Sequence, residues 1–213
     1  MTKQTTDASK YDVMREYKYL YQPSTSMAEI VKIPPFKYLM IDGKGDPNTS
    51  ADFGKSMEAL FGLAYTIKFK MKKDANNSFD FKVAPPSGLW HADDPEAFIQ
   101  PGRKEEWTWT LMILQPDKVT VSIFEGALAD LKKKKNLPFL DKVYFKVYEE
   151  GLCAQIMHIG PYSQEEPTIR LLHNFFMEQG YTFNGRHHEI YLSDQRRTKP
   201  ERLKTIIRQP IVK

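Results

Sequence analysis

Three side chains in the stretch HHEIYLSD, residues 187–194, are of the right types to move protons together. Alternation along a strand places His187, Glu189 and Tyr191 on one face and His188, Ile190 and Leu192 on the other. The aliphatic set belongs against a core packed by helices. The first set then faces either solvent, with Glu189 in a surface ion pair, or a cleft where its carboxylate acts as a base or positions a water. A carboxylate turned into an apolar core is costly unless paired, so the pattern demands one of these outlets. Tyr191 carries a hydroxyl on the same face, able to donate to a developing oxyanion.

Four aromatic residues are candidates for the walls of such a cleft. Trp107 and Trp109 share one face of the strand-like run 107–114 with Leu111 and Ile113, as core or as pocket wall. Trp90 follows two prolines and a glycine, in the position of a cleft wall, a lid or ordinary loop packing. Tyr65 follows the first helical pattern and either projects its hydroxyl into a groove or seals the edge of the core. Aromatic residues make up 13% of the 213 residues, enough for both a core and a pocket for a flat ligand.

Other chemistries lack their residues. There is no phosphate-binding glycine loop, nucleophile elbow or dinucleotide fingerprint. His187 and His188 are adjacent and so point to opposite faces of a strand. His91 with Asp93 and Asp94 forms only a loose cluster, so neither a metal nor a cofactor is expected. The single cysteine, Cys153, precludes a disulfide within the chain and reads as a small core residue. A formal charge of +4 is too mild for a nucleic-acid binder. The basic run 132–135 reads as the solvated C-terminal end of a helix. The first residues lack an apolar signal, and no apolar run approaches the roughly 18 residues of a membrane span. The expectation is a cytoplasmic protein without membrane partners, monomeric or a weak homodimer because no coiled-coil seam is visible.

The elements that would position these residues follow from periodicity. Residues 1–24 read as a loose arm, and 25–213 as a single domain. Strand patterns cover 27–41, interrupted by Pro34 and Pro35. The spacing of Phe53, Met57, Leu60, Phe61 and Ala64 predicts a helix over 50–64. Alternation predicts strands at 65–71, 79–83 and 107–114, with a loop or short helix at 92–105. A helix is expected at 117–136 and one or two strands at 143–159. A further helix at 160–180 would open with a capping box between Ser163 and Glu166 and stop at Gly180. The turn pair Asn184–Gly185 predicts a hairpin between 181–183 and 187–194, and 203–211 reads as a final strand.

The two halves match in order: strand, glycine turn, helix, strand, strand. Gly43 answers Gly160, and Pro116 answers Pro210. An internal duplication is inferred, with a first repeat at about 25–116, a connecting helix at about 117–136 and a second repeat at about 141–213. The fold class expected is α+β: duplicated strand–helix–strand–strand units forming a curved antiparallel sheet. Its helices would lie on one face and a central ligand groove on the other.

The run GPYSQEEP with the following helix, and then HHEIYLSDQRRTKPERLKTIIRQPI, resembles the C-terminal half of the GyrI-like small-molecule-binding family. WTWTLMILQPD with HHEIYLSD and the KTIIRQP ending is similar to the branch of cyclopropanoid cyclopropyl hydrolases. The resemblance spans about residues 25–213 and implies the duplicated fold. It also implies that Glu189 lies in the central pocket and meets ligands. For the hydrolase branch it implies aromatic walls around a flat, electrophilic cyclopropane-bearing genotoxin, which is detoxified by water addition. On this reading Glu189, Tyr191 and Tyr65 are the catalytic candidates, and Trp90, Trp107, Trp109 and His187 are substrate-binding candidates. Two other functions fit the resemblance: a non-catalytic binder or sensor of amphipathic or cationic small molecules, and a gyrase-interacting protein.

Overall fold

The helix Ala51–Lys72 begins where Ser50 accepts a hydrogen bond from the Phe53 amide and Asp52 sits in the first turn. The computed structural model describes residues 10–94 and 102–213. In chain order its elements are α1 (Val13–Glu16), α2 (Lys18–Tyr21), β1 (Glu29–Ile33), β2 (Phe36–Lys44), α3 (Ala51–Lys72), β3 (Pro86–His91) and β4 (Thr108–Gln115). There follow α4 (Val121–Lys134), β5 (Tyr144–Tyr148), β6 (Gly151–Ile159), α5 (Glu166–Glu178), β7 (Thr182–Phe183), β8 (His187–Tyr191) and β9 (Lys204–Val212).

Among the described residues the strands form one antiparallel sheet in the order β1-β6-β9-β8-β3-β4-β2-β5, with β7 pairing to β9. The order is palindromic in the repeats. β3 and β8, each the strand that lines the cleft after its helix, meet at the centre; β4 matches β9, β2 matches β6, and β5 matches β1. This is the duplicated, curved sheet that the two halves of the sequence imply. The connection from β5 to β6 spans only Glu149 and Glu150, with Gly151 at φ 72°, although β5 ends the order on one side and β6 is next to last on the other. That short link bends the sheet onto itself.

Pair register fixes the faces. Trp90, Trp109, Glu189, Ile207 and Ile156 share one face, and α5 packs there through Leu172 and Phe176. Helix α3 covers β2 and β4 on the same side, burying Ala59, Leu60, Leu63, Ala64 and Ile67 completely. The reverse, concave face is closed by the chain before β1. Leu20 and Tyr21 are buried there, the Arg208 guanidinium donates to the Leu20 carbonyl, and Gln155 donates to that of Tyr19. The segment expected to be a loose arm thus packs into the core through Val13, Leu20 and Tyr21.

Several local expectations are corrected. Residues 65–71 continue α3 instead of forming a strand. Leu60, Ala64, Ile67 and Met71 keep the three- and four-residue spacing, and no glycine or proline follows Gly62 before the helix ends. Residues 79–83 contribute only an isolated bridge, Tyr11 to Phe81, held by Lys68, whose ammonium binds Asp80 and the Phe81 carbonyl. The expected loop or short helix at 92–105 falls partly outside the described residues; a one-turn 3-10 helix covers Lys104–Glu106. No capping box forms, because Ser163 lies in a separate 3-10 turn, Tyr162–Gln164, and Glu165 occupies the N-cap of α5. The Asn184–Gly185 pair makes no hairpin. β7 and β8 are successive partners of the same strand β9, and residues 184–187 form a bulge between them.

Candidate active site

The cleft lies between α3 and the start of α5, on the helix-bearing face and not on the opposite one as the sequence suggested. It opens where β3 and β8 meet, because neither helix covers the sheet centre. Its volume is about 1790 Å³. Glycine keeps the floor low: a Cβ on Gly88, the β3 residue paired with Glu189, would stand 3.1 Å from Trp90 Nε1 and 3.3 Å from the Tyr191 hydroxyl.

On that floor the hydrogen bonds run in one direction. The Trp90 indole N–H donates to the Tyr191 hydroxyl over 3.0 Å, and Tyr191 donates to Glu189 Oε2 over 2.8 Å. His187 Nε2 meets the other carboxylate oxygen at 3.2 Å. Burial, and then the charge of Glu189, push the Tyr191 hydroxyl well above its ordinary pKa, so it keeps its proton and donates. Glu189 is thus held at both oxygens while its side chain stays 16% exposed in the cleft.

A second carboxyl faces the same floor. Glu165, at the N-cap of α5, is 5% exposed, and its Oε1 has no hydrogen-bond partner among the described residues. Burial, reinforced by the charge of Glu189, raises its pKa to about 9. At neutral pH Glu165 is a carboxylic acid, a proton donor beside a carboxylate. Tyr162, whose ring meets that of Tyr191 edge-on at 5.5 Å, is pushed up to about 12, mainly by burial. His158, bonded to the Thr168 hydroxyl, is lowered by burial and favours its neutral form.

The sequence candidates separate as follows. Glu189, Tyr191, Trp90, Trp107 and Tyr65 line the cleft. Trp107 packs edge-on against Trp90 at 5.8 Å, with Lys104 over its ring. Tyr65, expected after a helix, lies on the exposed crest of α3, 46% exposed between Phe61 and Phe69, and not with Glu189 on the floor. Trp109 is core and not wall. It is 1% exposed, meets Phe53 edge-on at 5.3 Å and fills the space a Cβ on Gly43 would occupy. Gly43 is therefore a packing glycine within β2 rather than a turn. His187 supports Glu189 from beside the cleft and does not line it. The sequence reading missed Glu165 and Phe53, whose ring lies nearly parallel to Trp90 at 6.2 Å. The available signal for Glu165 was an acid one residue before a helix that opens Glu-Pro. Among the described residues no group of acidic, histidine or cysteine side chains could hold a metal ion, and no helix is long and apolar enough to cross a membrane.

Residues 27–212 match the GyrI-like small molecule binding domain. The chain belongs to that family. An uncharacterized conserved protein from Listeria innocua is 36% identical to it, with a TM-score of 0.88 over 95% of this chain and all of that one. Two further structures from Listeria innocua, both named as hydrolases, are 35% identical, cover 95% of this chain and 100% of theirs, and give TM-scores of 0.83 and 0.85. The EcmrR C-terminal domain shares the fold at 13% identity and a TM-score of 0.55. No curated protein matches the chain.

Proposed function

We propose that the protein is a hydrolase that opens a strained ring on a flat, electrophilic small molecule by adding water, with Glu189 as base and Glu165 as acid. What carries this reading is the division of labour between two carboxyls in one cleft: one held as an acceptor by Tyr191 and His187, the other buried, with one oxygen lacking a partner among the described residues and its pKa raised by burial and by the charge of Glu189. The hydrolase names of two relatives that match over 95% of the chain support it.

A spirocyclopropane joined to a dienone suits this pair, because ring opening generates an aromatic phenol and relieves strain. Water attacks the cyclopropane methylene as Glu189 takes its proton. The carbon–carbon bond to the spiro centre breaks, and its electron pair aromatises the ring, leaving charge on the former carbonyl oxygen. Glu165 gives that oxygen a proton. Transfer from Glu189 back to Glu165 resets the pair, so the net reaction adds one water. Tyr191 acts here as a positioning residue, since its O–H is committed to Glu189, and Trp90 and Trp107 flank the ring system. Such chemistry would detoxify cyclopropanoid genotoxins.

The test is turnover of a cyclopropyl-dienone alkylator, followed by loss of its absorbance and by the mass of the product. General-base removal in Glu189→Gln should lower kcat/KM by about 10²- to 10⁴-fold. Full turnover by a folded Glu189→Gln protein would contradict the assignment. The second reading, a non-catalytic binder, is favoured by the family's small-molecule-binding character. Saturable binding with no water-added product would select it.

A further inference from the structure

We propose that Tyr162 and Glu165 form a two-donor site for a conjugated carbonyl oxygen, so that the cleft takes enones and dienones whether or not they carry a strained ring. The proposal rests on the reading of Glu165 as a proton donor in a small-molecule cleft and adds a second donor beside it. The turn before α5 sets the pair. Residues Tyr162–Gln164 form a 3-10 turn, and the Glu165 amide donates to the Tyr162 carbonyl at 3.3 Å. Side chains three apart in such a turn eclipse, so Tyr162 and Glu165 project from one edge, and both line the cleft. That edge meets the floor, where the Tyr162 ring lies edge-on to Tyr191 at 5.5 Å.

The hydroxyls that line the cleft divide into committed and free. Tyr191 donates to Glu189 and Thr66 to the Gly62 carbonyl, while Ser50 and Ser193 accept from backbone amides. Tyr65 and Ser163 are exposed to solvent. Tyr162 is half-buried, and its hydroxyl forms no hydrogen bond among the described residues. Glu165 Oε1, buried on the same edge, likewise has no partner among them. Burial is the largest of the causes that push Tyr162 up to about 12, so at neutral pH it keeps its proton and offers it in a hydrogen bond. A carbonyl oxygen has two lone pairs and can accept from both groups at once. In the dienone that oxygen gains charge as the ring opens, which strengthens both bonds in the transition state. Tyr162 transfers no proton in this scheme; the one that reaches the oxygen comes from Glu165. A phenol paired with a neutral carboxylic acid suits this task because neither donor brings a charge that must be neutralised in the free cleft.

The test uses 4,4-dimethylcyclohexa-2,5-dienone, a probe with the dienone carbonyl and no cyclopropane to open. Infrared difference spectra of the isotope-labelled probe bound to the full chain read its carbonyl stretch. The band should lie at lower frequency in the parent than in Tyr162→Phe, and the variant should bind the probe about three- to ten-fold more weakly. Placing 3-fluorotyrosine at position 162, a stronger donor of nearly the same shape, should lower the band further. With the cyclopropyl-dienone alkylator, Tyr162→Phe should lower kcat about 10²-fold and change KM little, because the donor acts mainly on charge that develops in the transition state. A band unmoved by Tyr162→Phe, or no binding of the probe to the parent, would overturn the proposal. The infrared result needs no turnover. A parent protein that shifts the carbonyl band but forms no water-added product would keep this site and lose the hydrolase reading.

Discussion

Two buried glutamates lie on opposite faces of the sheet, and their surroundings could hardly differ more. Glu150, in the two-residue link between β5 and β6, points into the concave face. His188 meets one of its oxygens at 2.8 Å and Arg208 the other at 3.0 Å. Gln155 takes two further Arg208 donors, at 3.2 and 2.9 Å. Burial alone would raise the Glu150 pKa, but the charges and hydrogen bonds of His188 and Arg208 prevail and hold it down to about 2. Glu165, across the sheet, has burial without a compensating cation, and its nearest charge is a like one, so its pKa climbs to about 9. A buried carboxylate whose bonds are complete secures the place where the sheet bends. A buried carboxyl left incomplete has a proton to give.

The contrast can be broken from the Glu150 side with the larger effect. Glu150→Ala leaves Arg208 buried without its counter-charge and should destabilise the fold by about 3–5 kcal/mol, read as a lower midpoint in chemical denaturation. The sign with pH follows from the shift. Because its folded pKa is depressed, Glu150 contributes its stability above about 4.5, and that contribution is lost as pH falls toward about 2. An alanine variant as stable as the parent would mean that the triad has no role in closing the sheet.

Glu165→Gln should act in the opposite direction and more weakly. A folded-state pKa raised from 4.5 to about 9 means the folded protein binds more protons than the unfolded chain between those values, so wild-type stability falls as pH rises through that window. The glutamine variant lacks this penalty and should be more stable than the parent at pH 8, by about 1–3 kcal/mol. If Glu165 is the acid, the same variant should also lose turnover and the alkaline decline of the parent's activity near pH 9. A variant destabilised at pH 8 would place the needed interactions of Glu165 in its ionised form.

How much of this was legible in the sequence divides along the same line. Alternation placed Glu189 and Tyr191 on one face of β8, and the order of elements revealed the duplication, because both are local patterns of period two and of chain order. The face itself was misjudged. The set His188, Ile190 and Leu192 contains the aliphatics, which points to a cover of helices, whereas Ile190 packs on the concave side that the N-terminal segment closes. Residues 65–71 alternate and also keep helical spacing, and only the absence of a breaker before 74 decides for α3. Trp109 read equally as wall or core, and the deciding fact is Gly43 opposite it on β2, a pairing no local pattern reveals. Glu165 escaped because its carboxyl draws its character from burial that the tertiary fold imposes, and then from Glu189, 24 residues on.

The claim that most needs testing is that burial, reinforced by the charge of Glu189, keeps Glu165 protonated at neutral pH. Carboxyl carbon NMR on selectively labelled glutamate, with Glu165→Gln to assign the signal, reads this directly. The account predicts a Glu165 midpoint near pH 9 that falls when Glu189 is replaced by glutamine. A midpoint near the ordinary 4.5, unmoved by that replacement, would contradict it.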